Sequence, residues 1–102
     1  MDVNKFLGNV YELICEEKIE KAVDVIFDQM QYLMDTGNQD LCDTIIGHAE
    51  PEKLQTETIV AFLTTTRHLH SPNKQVFIEK SIARVAKIKG AAYGEEILKK
   101  FV

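Results

Sequence analysis

His68 and His70 stand one residue apart in TTTRHLHSPNK (64–74) and are the first candidates for chemistry in this chain of 102 residues. A histidine pair beside an arginine suggests a metal site or an acid–base pair. Helical spacing argues against both, because residues two apart on a helix point about 200° apart. Paired zinc ligands on a helix use an i, i+4 spacing for this reason. Only a non-helical HLHSP would bring both rings round, with His48 or Cys42 as further ligands. The expected role is electrostatic: Arg67, His68 and His70 in the last turn of a helix complement its exposed carbonyls and dipole. His70, over the apolar stripe, is expected to be partly buried.

The remaining nucleophiles and acids offer no better constellation. No GxSxG occurs and the glycines never cluster into a phosphate loop. Cys15 and Cys42 are expected on apolar faces or their edges, where a thiol is inert. Their wide spacing favours two reduced thiols over a disulfide, and with them a cytoplasmic protein. Glu20, Asp24, Asp28 and Asp35 form an acidic ladder, but no opposed partner separates their protonation states. No catalytic, cofactor-binding or metal-ligating residue is therefore expected, and the chain is not expected to be an enzyme.

Charge is more informative. Residues 1–51 carry three lysines against eleven acids, a net of −8, and residues 52–102 carry nine basic residues against five acids, a net of +4. Such asymmetry implies either that the halves attract one another within the fold or that each face seeks a charged partner.

The elements that carry these charges read as helices throughout, in a single domain spanning 1–102. Five glycines and two prolines leave little room for the turns of a strand-rich fold. Val3, Phe6, Leu7, Val10, Leu13 and Ile14 follow one helix face, with Asp2 as its N-cap. The second helix places Ile19, Ala22, Val23, Ile26, Phe27, Met30, Leu33 and Met34 on one stripe, with the acidic ladder opposite. Val25 and Tyr32, seven apart, fall outside that stripe, where either a neighbouring helix or a partner covers them. Gly37 supplies a left-handed stop. A third helix over 38–49, a turn at PEKLQ, a fourth helix capped by Thr56, and a fifth opened by Ser71 and Pro72 follow. The fifth buries Ile78, Ile82, Val85, Ala86 and Ile88 and presents Lys80, Arg84 and Lys87, with Lys74 and Lys89 nearby. After Gly90 a short final helix packs Tyr93, Ile97, Leu98 and Phe101. The fold class is all-α, with five to six antiparallel helices in a bundle or a short helical-hairpin stack.

Residues 48–90, HAEPEKLQTETIVAFLTTTRHLHSPNKQVFIEKSIARVAKIKG, resemble a helical segment of uncharacterised small bacterial and phage proteins. The shared features are a Pro-Glu-x-Leu hinge, an IVAFLTTTR-like helix and a Pro-led helix ending in Lys-Gly. The resemblance implies helical hairpins and a bacterial or phage origin, and it carries no activity.

Two functions fit this layout. The basic face of the helix at 72–89 could grip phosphates, which makes a nucleic-acid-binding regulator the alternative. The acidic chain, with a pI near 5.3, and the scarcity of base-reading side chains in TETIVAFLTTTRHL point instead to a protein partner. The expected function is a non-enzymatic protein–protein interaction module. It would bind a protein partner or form a homo-oligomer through Glu20, Asp24, Asp28, Val25 and Tyr32 on one side and Lys80, Arg84 and Lys87 on the other. No membrane span and no cofactor are expected.

Overall fold

Asp2 opens the first helix as anticipated: its Oδ1 accepts a hydrogen bond from the Lys5 N–H at 3.1 Å. The computed structural model describes residues 1–101, apart from the side chain of Ile97. It contains α1 (Val3–Cys15), α2 (Ile19–Asp35), α3 (Gln39–His48), a 3₁₀ turn (Pro51–Lys53), α4 (Thr56–Thr65), α5 (Pro72–Lys89), α6 (Ala91–Leu98) and a closing 3₁₀ turn (Lys99–Phe101). Among the described residues there is no strand.

The first two links are the same device used twice. After α1 the Lys18 N–H reaches the Leu13 carbonyl at 2.8 Å and the Glu17 N–H reaches Ile14 at 3.0 Å. After α2 the Asn38 N–H reaches Leu33 at 2.8 Å and the Gly37 N–H reaches Met34 at 3.3 Å. Both are Schellman closures, which need one residue in the left-handed region. Gly37 takes that conformation freely at φ 78°, whereas Glu17 takes it at φ 61° despite its Cβ. Links this short turn α2 back along α1 and α3 back along α2, and both pairs pack together.

α4 is the centre of the molecule. Its sequence TETIVAFLTT is apolar on nearly every side, and Ile59, Ala61, Phe62 and Leu63 are all buried. α2 covers it with Ile26 and Met30, while α3 adds Ile45 and Ile46 to the same core. Phe77 of α5 meets Phe62 edge to face, with ring centroids 5.9 Å apart. Such a pair contributes about 0.5–1.5 kcal/mol beyond the area it buries. α5 also packs against α3, α6 and the first 3₁₀ turn. The Cα extents are 36 × 31 × 18 Å, so the short axis holds about two layers of helices at ~10 Å each.

Several boundaries differ from the sequence expectation. Gln55, not Thr56, is the N-cap of α4; its N–H donates to Thr58 Oγ1 at 2.9 Å, and Thr56 is the first helical residue, buried. α4 stops at Thr65, so Arg67, His68 and His70 lie beyond the helix rather than in its last turn. His70 is exposed, because the buried residue of that link is Leu69. Cys15 is exposed as well, on the outer side of α1, while Cys42 is fully buried. In α5 the apolar face is shared with two polar residues, Lys74 and Ser81, and Val76 and Ala83 point outward. Tyr93 is 44% exposed instead of packed, and the expectation for the Ile97 side chain lies outside the described residues.

Candidate functional site

The acidic ladder stands where the helical period puts it. Ala22, Ile26, Met30 and Leu33 bury one side of α2, which turns Glu20, Asp24, Asp28 and Asp35 to the opposite side, all exposed. The Gln31 side chain donates to Asp35 Oδ1 at 2.9 Å. Glu20, Asp24 and Asp28 repeat at i, i+4, a spacing that brings like charges together at a cost of about 0.2–0.5 kcal/mol per pair. Val25 is half-buried against the core edge and Tyr32 is 62% exposed. The two residues share a shallow groove with Phe6, Asn9, Asp28 and Gln29 along the seam between α1 and α2.

The basic stripe has a different character from one end to the other. Lys80 and Lys87 are exposed. Arg84 is half-buried, and its Nε donates to the Leu54 carbonyl at 2.9 Å, which fastens α5 to the end of the 3₁₀ turn. Glu52 borders the same depression as Lys80, Arg84 and Lys87, so one carboxylate sits within the stripe. Lys74 does not belong to it. That residue is 5% exposed, and its Nζ donates to the carbonyls of Thr66 at 2.7 Å and Arg67 at 3.2 Å. Burial, with Arg67 as a lesser cause, lowers its pKa below the usual lysine value of 10.5.

The two charged faces do not neutralise one another. The ion pairs among the described residues are Lys18–Glu16 at 3.1 Å and Lys53–Glu50 at 2.7 Å, both local in sequence. The second belongs to a small cluster around Tyr11. The Tyr11 hydroxyl accepts the Glu50 N–H at 2.9 Å and the Lys53 ammonium lies 5.3 Å from the ring centroid. Burial raises the Tyr11 pKa above its ordinary 10.0. These contacts hold the hinge before the 3₁₀ turn against α1 and leave no open site.

The histidines separate. His48 Nδ1 lies 2.8 Å from the Thr44 carbonyl within α3. His68 lines a polar cleft with Arg67, Gln31, Asp35 and Thr64, between the C-terminal ends of α2 and α4. His70 borders a separate small pocket near Ser71, Gln75 and Phe101. Among the described residues, no three His, Cys, Asp or Glu side chains gather as metal ligands would. Nor, among them, is any helix long and apolar enough to cross a membrane.

Sequence reasoning placed Phe6 in the core, where it lies, and passed over Asn9, Gln29 and Met1 at the groove. The signal was present in the period of α1, where exposed Asn9 stands beside the buried stripe that Phe6 begins. Glu52 was missed because a 3₁₀ turn has no face that periodicity reveals. No family model matches the chain, and no curated protein or solved structure matches it significantly.

Proposed function

We propose that this chain is a non-enzymatic protein–protein interaction module, a small helical adaptor or regulator that meets oppositely charged protein surfaces. Glu20, Asp24 and Asp28 on α2, with Val25 and Tyr32 at their edge, form one contact face. Lys80, Arg84 and Lys87 on α5 form the other. The observation that carries the reading is that both faces turn outward on different helices with no ion pair between them among the described residues.

Self-association is its concrete version: the acidic face of one copy meets the basic face of the next. On a helix rising 1.5 Å per residue, charges three or four residues apart recur every ~5–6 Å on both faces, so the two arrays can align. Nucleic-acid binding through α5 has weaker support. Arg84 is partly engaged by Leu54, Lys74 is withdrawn into the interior, and Glu52 would face the phosphates. A cytoplasmic setting is supported by the two free thiols, Cys15 and Cys42. The resemblance of residues 48–90 supports a bacterial or phage one.

The reading is tested by solution mass at low and high salt. Assembly at low salt that dissolves as salt rises is expected, since screening shortens to about 10 Å near 0.1 M. A single-chain mass at every salt overturns self-association, and low-salt binding of random duplex DNA would move the assignment to the nucleic-acid class.

A further inference from the structure

Charge complementarity steers two surfaces together but holds them weakly, since each exposed ion pair contributes only about 0–1 kcal/mol. A specific complex needs a desolvated apolar anchor near the charges. The α1–α2 seam offers one beside the ladder. Its groove, floored by Phe6 and Val25 and edged by Tyr32, continues past Asn9 and Gln29 to Gly8 and Met1. Tyr32 and Met1 are 62% and 58% exposed. Asp2, Glu12 and Asp28 line the groove, together with Lys5.

Gly8 supplies a second, independent observation. Glycine inside a helix costs about 1 kcal/mol relative to alanine, so its presence there asks for a reason. The other two helical glycines have one within the chain. A Cβ on Gly47 would lie 2.8 Å from Asn73 Nδ2, and one on Gly94 would lie 3.2 Å from the Ala86 backbone nitrogen. A Cβ on Gly8 would meet nothing within 4 Å. Two of the three glycines thus sit where another element comes close, and the third sits where such an element is missing.

Building on the interaction-module reading, we propose that the seam is the anchor of the head-to-tail contact and that a second copy occupies it with the outward face of its α5. Val76, Lys80, Ala83 and Lys87 recur at spacings of four, three and four, which places them on one exposed line. Val76 is 47% exposed and Ala83 is small, so the pair can enter a shallow groove. Lys80 and Lys87 then reach the carboxylates of its rim. Pairing seam against seam would set the three acids of each copy against one another, a poorer match than acids against Lys80 and Lys87. The absence of a side chain at Gly8 lets the incoming helix approach α1 closely.

Sedimentation velocity at low salt tests this with five variants. Tyr32→Asp and Val76→Asp are each expected to weaken self-association about 10-fold or more. Gly8→Gln is expected to weaken association while its melting temperature stays level or rises, a split that a folding defect would not produce. Tyr93→Ser, at an exposed aromatic on α6, is expected to leave association unchanged. If Lys80→Glu disperses the assembly while the Tyr32, Val76 and Gly8 variants assemble normally, the charged faces stand and the seam assignment is overturned. A wild-type chain that stays at single-chain mass overturns the self-association reading and this anchor together.

Discussion

The ammonium of Lys74 lies 2.7 Å from the carbonyl oxygen of Thr66, inside the protein, where it closes the end of α4. The residue also anchors α5, since its N–H donates to Ser71 Oγ at 3.1 Å. One side chain thereby ties the end of the central helix to the start of the basic one. Sequence reasoning had assigned that electrostatic role to the histidines.

Replacing Lys74 with methionine keeps the stem but removes the donor, which leaves the Thr66 carbonyl with the Leu69 N–H alone and takes from the Arg67 carbonyl its side-chain donor. A loss of about 1–3 kcal/mol is expected by chemical denaturation, with helix content retained. The pH dependence has a definite sign. The folded pKa lies below 10.5, so as pH rises toward 10.5 the folded chain releases this proton before the unfolded chain does. The unfolded state then holds more protons, and the contribution of Lys74 to stability grows through that window. Tyr11 and Cys42, both raised by burial, pull the opposite way above about 10.0 and 9.0. The wild-type advantage over Lys74→Met is therefore expected to widen as pH approaches 10.5 from neutrality.

Gly47 and Asn73 should be strongly coupled. Alanine at a helical glycine ordinarily gains up to about 1 kcal/mol. At Gly47 its Cβ would displace the Asn73 side chain, which donates to Asp43 Oδ2 at 3.2 Å. Gly47→Ala is expected to gain nothing or to destabilise in the wild type, and to stabilise by about 0.5–1 kcal/mol when Asn73 is alanine. A double-mutant cycle by denaturant unfolding measures the difference.

Glu17 holds a left-handed conformation at φ 61° that Gly37 adopts without strain in the equivalent link. Glu17→Gly is expected to raise stability by about 1 kcal/mol, because the Schellman closure is kept and the Cβ clash is lost. Thermal unfolding reads the shift.

The two cysteines should react at very different rates. Cys15 is exposed, while burial hides Cys42 and raises its thiol pKa above 9.0. With a thiol reagent under native conditions, one equivalent is expected to react promptly and the second only on unfolding. Prompt reaction of both would show that the packing around Cys42 is wrong.

Much of this fold was readable because its helices announce themselves chemically. Asp2, Ser71–Pro72, Gly37 and Gly90 marked ends that stand where expected, and the α2 stripe with its acidic reverse side was fixed by period alone. The Glu17 link is not marked in the sequence as the Gly37 one is, because a glutamate in the left-handed region leaves no compositional trace. The histidines misled because the last turn of helix four was expected to hold Arg67, His68 and His70, whereas Thr65 and Thr66 turn their hydroxyls back onto Ala61 and Phe62 and the chain leaves the helix. Lysine at position 74 read as surface charge, since no local pattern shows that carbonyls eight and seven residues earlier will surround it. At the candidate faces the charged residues were legible one by one. That they remain unpaired across the molecule depends on tertiary placement.

Charge-reversed variants mixed in pairs test the central claim most directly. Asp24→Lys with Asp28→Lys reverses the face of α2, and Lys80→Glu with Lys87→Glu reverses that of α5; all four positions are exposed, so folding is retained. In low-salt sedimentation each double variant is expected at single-chain mass, and the mixture is expected to assemble again. A mixture that stays at single-chain mass, or reversed variants that assemble alone as well as the wild type does, would contradict recognition through these two faces.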